Sequence, residues 1–320
     1  MKESIGSPHS GTVAVPALSW DRSVPRNLVH RKSIAEVLLT DGHALGEGRY
    51  LLAAQWSRSH STFRPGSGDR HDPLLIAETL RQGCLYLCQR FLDVPGTSKP
   101  VIKTIGFRLD PAREPVVGYG ATDVTCRAKV YDVRRVEGLP HPVALSLRLE
   151  LSADDAEFGS AEGRARVLTE DEYRGLRGPR AGVLPAPGED IRRLPPAAVS
   201  ASAPGGVMVA RDGTGSLRVT PADPRHPLFF DHPSDHIPGM VLLEAARQAA
   251  CLTSGDTSGR LTGCRMTASR FTDWDPPAYV ACEPLGEGWA FRVTQGGGVT
   301  AAGDLWLEPG GLAGARFGGR

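Results

Sequence analysis

Lysine is scarce in this chain of 320 residues: of 37 basic side chains only Lys2, Lys32, Lys99, Lys103 and Lys129 are lysines, and the rest are arginine. Schiff-base chemistry therefore has few candidates, and a bound phosphate would meet a planar guanidinium fork rather than an ammonium point charge. An excess of charge is missing too, since 36 acidic side chains leave a formal net charge of +1. That balance excludes the broad field that drives non-specific nucleic-acid or membrane-surface binding, so any anion has to be held locally. The six cysteines (Cys84, Cys88, Cys126, Cys251, Cys264 and Cys282) contain no Cys-x-x-Cys pair. No basic segment leads into an apolar core at the N-terminus, and no uncharged apolar run reaches the roughly 18–20 residues that span a bilayer. The expectation is a cytoplasmic protein without disulfides or cofactor.

What is present falls into blocks. Residues 1–26, with Ser7, Pro8, Ser10, Gly11, Pro16 and Pro25, are turn-rich and non-periodic, which predicts a loose arm. Residues 175–206 alternate Pro179, Pro185, Pro187, Pro195, Pro196 and Pro204 with Gly, Ala and Ser, a linker composition. Two ordered blocks remain, 27–174 and 207–320, and each holds one long apolar segment that begins at a proline: Pro73–Leu92 and Pro238–Leu252. Proline is favoured in a first helical turn, and both segments are too long for typical strands. They predict two helices that are apolar nearly all round, hence buried. Strand-like stretches surround each: 36–40, 48–56, 116–133, 143–151 and 163–168 in the first block, and 207–210, 216–220, 279–282, 289–294 and 302–307 in the second. The predicted fold is α+β, one buried helix wrapped by an antiparallel sheet, built twice.

An internal repeat supports the doubling. At a constant offset of 166, His60 matches His226, Phe63 matches Phe229, Glu78 matches Glu244, Arg81 matches Arg247 and Gln82 matches Gln248. Beyond the helices the offset falls to 140 at Gly163 and Gly303, so the second copy is 26 residues shorter and is expected to have lost a strand or a long loop. Two copies would pack as an internal pseudo-dimer with two equivalent clefts.

Positions i, i+3 and i+4 share one helix face, so Glu78, Arg81 and Gln82 form a polar stripe on an apolar rod, and Glu244, Arg247 and Gln248 form another. A buried stripe of this kind is either an ion pair that tethers the helix or the chemistry of a site. The approach to the second helix, Arg225–Gly239, adds His226, His232, His236, Asp231 and Asp235 in a loop that ends at a helix N-terminus. Free N–H groups there can hold a carbonyl or phosphate oxygen, and Gly239 permits close approach. His60, His71 and Asp72 form a thinner version before the first helix. Zinc ligation is disfavoured, because spacings of six and then four residues from His226 to His232 to His236 match no recognised pattern. Cys84 and Cys88 are expected as small core packing.

The string from Phe229 to Ala250, FFDHPSDHIPGMVLLEAARQAA, resembles the β-hydroxyacyl-acyl-carrier-protein dehydratases, which are hotdog folds. A closer resemblance is to the A-factor synthase (AfsA) family of γ-butyrolactone biosynthesis proteins. It is carried by VHR at Val29–Arg31, DPLLIAETLRQ at Asp72–Gln82 and HPSDHIPGMVLLEAARQAA at His232–Ala250. The resemblance implies a tandem hotdog spanning about Asn27 to the C-terminus. It also implies an acyltransferase that moves a β-ketoacyl group from acyl carrier protein to the hydroxyl of dihydroxyacetone phosphate. On that reading Glu244 is the base or orienting carboxylate, with Glu78 as its pseudo-symmetric alternative. His232 and His236 are polar loop groups, and the Gly239 N–H is the oxyanion donor. Arg247 or Arg81 meets the phosphate, and Gln248, Gln82, His71 and Asp72 complete the substrate contacts. No serine sits in a nucleophile elbow and no cysteine has an activating context, so direct transfer is expected over an acyl-enzyme. The alternatives are a hotdog dehydratase or thioesterase, and a ligand-binding regulator without catalysis.

Overall fold

The computed structural model describes residues 16–60, 62, 63, 69–185, 191 and 193–308. The first half runs β1 (Leu39–Gly46), β2 (Arg49–Ser57), α1 (Leu74–Phe91), β3 (Lys99–Leu109), β4 (Ala121–Arg134), β5 (Ala144–Ala153), β6 (Ala156–Leu168) and α2 (Glu170–Arg177). The second runs β7 (Val209–Arg211), β8 (Leu217–Val219), α3 (Gly239–Ser254), β9 (Arg260–Ala268), β10 (Ala278–Leu285), β11 (Gly288–Gln295) and β12 (Gly298–Glu308). Short 3₁₀ turns fill the approaches to β1 and β7.

Period-two alternation decides which face each strand buries. In β5, Leu145, Leu147, Leu149 and Leu151 point inward while Arg148 and Glu150 face water, and β4 does the same with Val124, Cys126, Ala128 and Val130. Those side chains share one core with α1, whose Leu74 to Leu80 and Leu85 to Cys88 are buried, with Arg81 and Cys84 half-buried between them. The helix polar groups that enter this core are satisfied: the Trp56 indole N–H donates to Thr79 Oγ1 at 3.0 Å. Truncating one such leucine, Leu147→Ala, would remove its packing and leave a cavity at a cost of about 2–5 kcal/mol.

All strands join one twelve-stranded sheet in the order β1-β2-β4-β5-β6-β3-β9-β12-β11-β10-β8-β7. Followed from either edge to the centre, the order is the same, with β1 answering β7, β2 answering β8, and β3 answering β9. The halves are sewn together where β3 pairs antiparallel with β9, from Thr104 opposite Thr267 to Arg108 opposite Gly263. α1 packs mainly on strands of the first half and α3 on strands of the second. This is the expected α+β architecture of helices wrapped by antiparallel sheet.

Several expectations are corrected. The second half has not lost a strand, for it matches the first strand for strand. About half of the 26-residue shortfall lies instead in β4, 14 residues long against 8 in β10, and in the loop after it, which shrinks from residues 135–143 to Gly286 and Glu287. β3 and β9 were not expected as strands. α2 was not expected either, although Thr169 and Glu172 form a reciprocal capping box at its start, a spacing visible in the sequence. Residues 16–26, the described part of the predicted loose arm, are bonded into the sheet: Val24 N–H donates to Leu39 O at 3.0 Å and Ser19 N–H to Asp41 Oδ2 at 3.2 Å. The proline-rich stretch carries the end of α2 and 3₁₀ turns at Gly178–Arg180, Pro196–Val199 and Pro204–Gly206.

Candidate active site

Each helix carries its polar stripe into the protein interior. Glu78 is fully buried. Its Oε1 accepts from Arg31 Nη2 (2.7 Å), Arg81 Nη2 (2.8 Å) and Gln82 Nε2 (2.6 Å), and its Oε2 accepts from Arg81 Nε (2.8 Å). Burial pushes this carboxyl up, but Arg31 and Arg81 outweigh it and hold the group at about 2, against 4.5 in water. Arg31 also donates from Nη1 to Leu228 O at 2.6 Å, so it ties Glu78 to the second half of the chain.

Glu244 has the matching contacts with one difference. Arg247 donates from Nε to Oε2 (2.8 Å) and from Nη2 to Oε1 (2.9 Å), and Gln248 Nε2 donates to Oε1 at 2.7 Å. No second arginine is recorded against it among the described residues. Its one guanidinium is shared, with Arg247 Nη1 lying 3.6 Å from Asp72 Oδ2. Burial therefore prevails over Arg247, Asp72 adds repulsion, and the Glu244 carboxyl is raised above its usual range.

The reason lies in the segments before β1 and β7. Pro25 and Pro195 each precede a 3₁₀ turn that ends in a buried valine, Val29 or Val199, followed by a left-handed residue, His30 (φ 51°) or Ser200 (φ 54°). The two glutamines extend the match. Gln82 donates to Glu36 O and accepts from Leu38 N–H, while Gln248 donates to Gly206 O and accepts from Met208 N–H. All these pairs share one offset of 170, which places Ala201 where the first half has Arg31.

The loop groups divide between the two stripes in a crossed manner. Asp231, from the second half, accepts from Lys32 N–H (2.5 Å) and Ser33 N–H (3.2 Å) of the first. It thereby sets the half-exposed His232 on the Arg31 and Arg81 side, where burial and Arg81 lower the imidazole pKa. Asp72, from the first half, reaches Arg247 of the second and also accepts from Leu74 N–H at the start of α1 (2.9 Å). The neighbouring His71 is turned into the core. Its Nε2 lies 2.7 Å from Thr122 Oγ1, its ring meets Trp56 edge-on, and burial followed by Arg260 lowers it to about 4.

His236 stands apart from both carboxylates of the stripes. Its Nδ1 lies 2.8 Å from Asp235 Oδ1, which also accepts from the Tyr173 hydroxyl at 2.6 Å. Arg177 donates to Asp235 O and to Asp273 Oδ1 (2.6 and 2.7 Å), so α2 braces the loop before α3. Gln82 and Gln248 have both amide protons committed to a carboxylate and a carbonyl, which leaves neither a donor for a substrate. Gly239 opens α3 after Pro238. Its N–H is among those for which a helix supplies no internal acceptor. Cys88 is fully buried and Cys84 partly so, and no cluster of metal-ligating side chains occurs among the described residues.

Sequence reading assigned no role to Arg31, which decides the state of Glu78. It lies 47 residues before its partner, and the cues are its place in the VHR motif at Val29–Arg31 and the offset-170 match of Pro-x-x-x-Val segments.

The family model described as "A-factor biosynthesis hotdog domain" matches residues 15–169 and 188–268. The chain belongs to this family. A 2-oxo-3-(phosphooxy)propyl 3-oxoalkanoate synthase of Streptomyces virginiae, similar to this chain, is 35% identical over 272 residues, which cover 82% of this chain and 88% of that protein. A protein of the same name from Streptomyces coelicolor is 31% identical over 269 residues, 80% of this chain and 81% of that one. Among solved structures, a 12:0-ACP thioesterase from Umbellularia californica aligns with 83% of this chain and all of its own at 12% identity and a TM-score of 0.47.

Proposed function

We propose that this chain is an acyltransferase of γ-butyrolactone biosynthesis. It moves a β-ketoacyl group from acyl carrier protein to the hydroxyl of dihydroxyacetone phosphate, in the cytoplasm and without a cofactor. The products feed diffusible signals that control antibiotic production. Support comes from the relatives' shared name and from one structural observation: Glu244 is a buried carboxylate whose pKa is raised, with a single guanidinium to balance it. A base must have a proton affinity near that of its task, and a carboxylate held at about 2 is a poor one. Glu244 rather than Glu78 is therefore the proton acceptor.

In the reaction Glu244 takes the proton of the alcohol, whose oxygen attacks the thioester carbonyl. The oxyanion that forms lies at the α3 N-terminus, against the Gly239 N–H. Collapse breaks the C–S bond, and the proton passes to the departing thiolate. Arg247 lies between Glu244 and Asp72, and its Nη1, 3.6 Å from Asp72 and outside the two hydrogen bonds to Glu244, is the donor that meets the phosphate of the acceptor. Residues 27–174 and 207–320 serve as the two hotdog repeats of an internal pseudo-dimer, with 1–26 as an arm and 175–206 as the connection. The mirrored strand order supports that division.

The test is to incubate the protein with a β-ketoacyl thioester of acyl carrier protein and dihydroxyacetone phosphate, and to search for the acyl phosphate ester by mass spectrometry. An ester that requires both substrates is expected. Hydrolysis of the thioester without dihydroxyacetone phosphate would instead mark a thioesterase, and loss of water from a β-hydroxyacyl thioester a dehydratase.

A further inference from the structure

Away from both polar stripes, a cavity of about 410 Å³ lies between residues 22–25, β1 and the C-terminal end of α1, lined in part by Arg22, Thr40, Asp41, His43, Tyr86 and Arg90. Tyr86 is eight residues beyond Glu78, roughly 12 Å along the helix axis, so this is a separate place in the fold.

Just behind its walls lie buried hydrogen-bonding groups with nothing to bond. Thr40 is 6% exposed and its Oγ1 has no partner. The buried Nε2 of His43 lies 3.3 Å from an Asp41 carboxylate oxygen without making a hydrogen bond to it. Buried polar groups in native proteins are nearly always satisfied, and an orphan marks a strained site or one that expects a guest. Asp41 is already occupied, accepting from Gly42 N–H (2.8 Å) and Ser19 N–H (3.2 Å), with Arg22 at 3.8 Å. Arg90 has no carboxylate partner among the described residues and rests its guanidinium 5.2 Å from the Phe91 ring centre.

The cavity also depends on a missing side chain. A Cβ on Gly42 would stand 2.6 Å from Tyr86 Cε1 and 2.8 Å from Leu52 Cδ2. Only a glycine at 42 lets the Tyr86 ring lie across β1 and form the cavity wall.

The side-chain donors therefore outnumber the acceptors: two guanidiniums, three hydroxyls (Ser23, Thr40 and Tyr86) and an imidazole surround a single carboxylate whose oxygens are in use. We propose that this cavity binds an oxyanion, namely a phosphoryl group, either as the free ion or on a small ester. Arg90 and Arg22 supply charge at the mouth, and Thr40 donates from within. Guanidinium contacts to phosphate are charge-assisted and directional, which suits a site of this size in a chain with almost no net field. The site does not depend on the acyl-transfer reading, because it is defined by binding alone.

The experiment is calorimetric titration of the full chain with inorganic phosphate and, separately, with dihydroxyacetone phosphate, on wild type, Arg90→Ala and Thr40→Val. Arg90 is exposed and Thr40→Val keeps the shape, so both variants should fold, which their melting curves check. Binding of inorganic phosphate by wild type is expected to weaken about tenfold or more in Arg90→Ala and in Thr40→Val, as loss of a charge-assisted or buried contact implies. Competition between the two ligands assigns the site to esters as well as to the free ion, and binding of inorganic phosphate alone assigns it to the ion. No binding by wild type, or binding undiminished in either Arg90→Ala or Thr40→Val, overturns the proposal.

Discussion

The two helices present the same stripe to two different environments. Around Glu78 stand Arg31 and Arg81, with Lys32 and His232 nearby, and the carboxylate is fixed in its charged form. Around Glu244 stands Arg247 alone, drawn also toward Asp72, and the carboxylate is left prone to take a proton. The first is a fully matched buried ion cluster that holds the halves together through Leu228, and the second is an incompletely matched one. Identical side chains at identical spacing therefore settle nothing about role. A neighbour from outside the motif, Arg31 or Ala201, does.

The sharpest way to break this contrast is a pair of isosteric changes. Glu244→Gln should cut the rate of ester formation by about 10²–10⁴-fold, as expected for loss of a general base, while shifting the melting temperature little. Glu78→Gln should do the reverse. It leaves Arg31 and Arg81 buried without their counter-ion, and the loss of one partner from a buried pair costs about 3–5 kcal/mol of stability, measurable by urea unfolding. Equal rate losses in both variants with unchanged unfolding would abolish the distinction.

Acid should expose the same asymmetry. A carboxyl held at about 2 in the fold and near 4.5 in the unfolded chain contributes stability above 4.5, on the order of 3 kcal/mol for Glu78, that is lost as pH falls toward 2. Glu244 has the opposite sign, because its raised value makes its ionisation a cost that protonation relieves. Arg31→Ala should therefore move acid unfolding to higher pH, and the shift should vanish when Glu78→Gln is also present. The converse transplant, Ala201→Arg, would bring a second guanidinium to Glu244. The acidic limb of the rate profile should move down by about 1–3 units, with a lower plateau because the base is weakened. The smallest effect is expected at α2, which braces the loop before α3 and touches neither stripe. Tyr173→Phe removes one hydrogen bond to Asp235 and should cost about 1 kcal/mol in thermal unfolding.

The helices, their stripes and most strands were legible because each is a local period: four-residue spacing puts Glu244 and Gln248 on one face, and alternation puts Leu145 to Leu151 on another. The seam strands were not. β3 is broken by Pro100 and Gly106, carries Lys99 and Lys103, and is partly buried at six consecutive positions, because it is an interior strand between two halves rather than a wall with one wet side. Gly106 packs so closely that a Cβ would meet Cys264 O at 2.9 Å, a constraint set by a residue 158 positions away. His236 illustrates the same limit: its loop resembles a cluster of reactive groups, yet Tyr173, Arg177 and Asp235 spend it on bracing α2. Non-local partners decided the matter in each case.

The mirrored sheet has one more consequence, which concerns inheritance. Two identical subunits share a gene, so any change near one carboxylate is copied into the other, and a second arginine added to steady one site would silence both. Here β3 and β9 join two halves of a single polypeptide, and position 201 can remain alanine while position 31 is arginine. Fusion releases the two halves from having to agree. One half can be tuned for endurance and the other for reactivity, within a sheet that remains continuous.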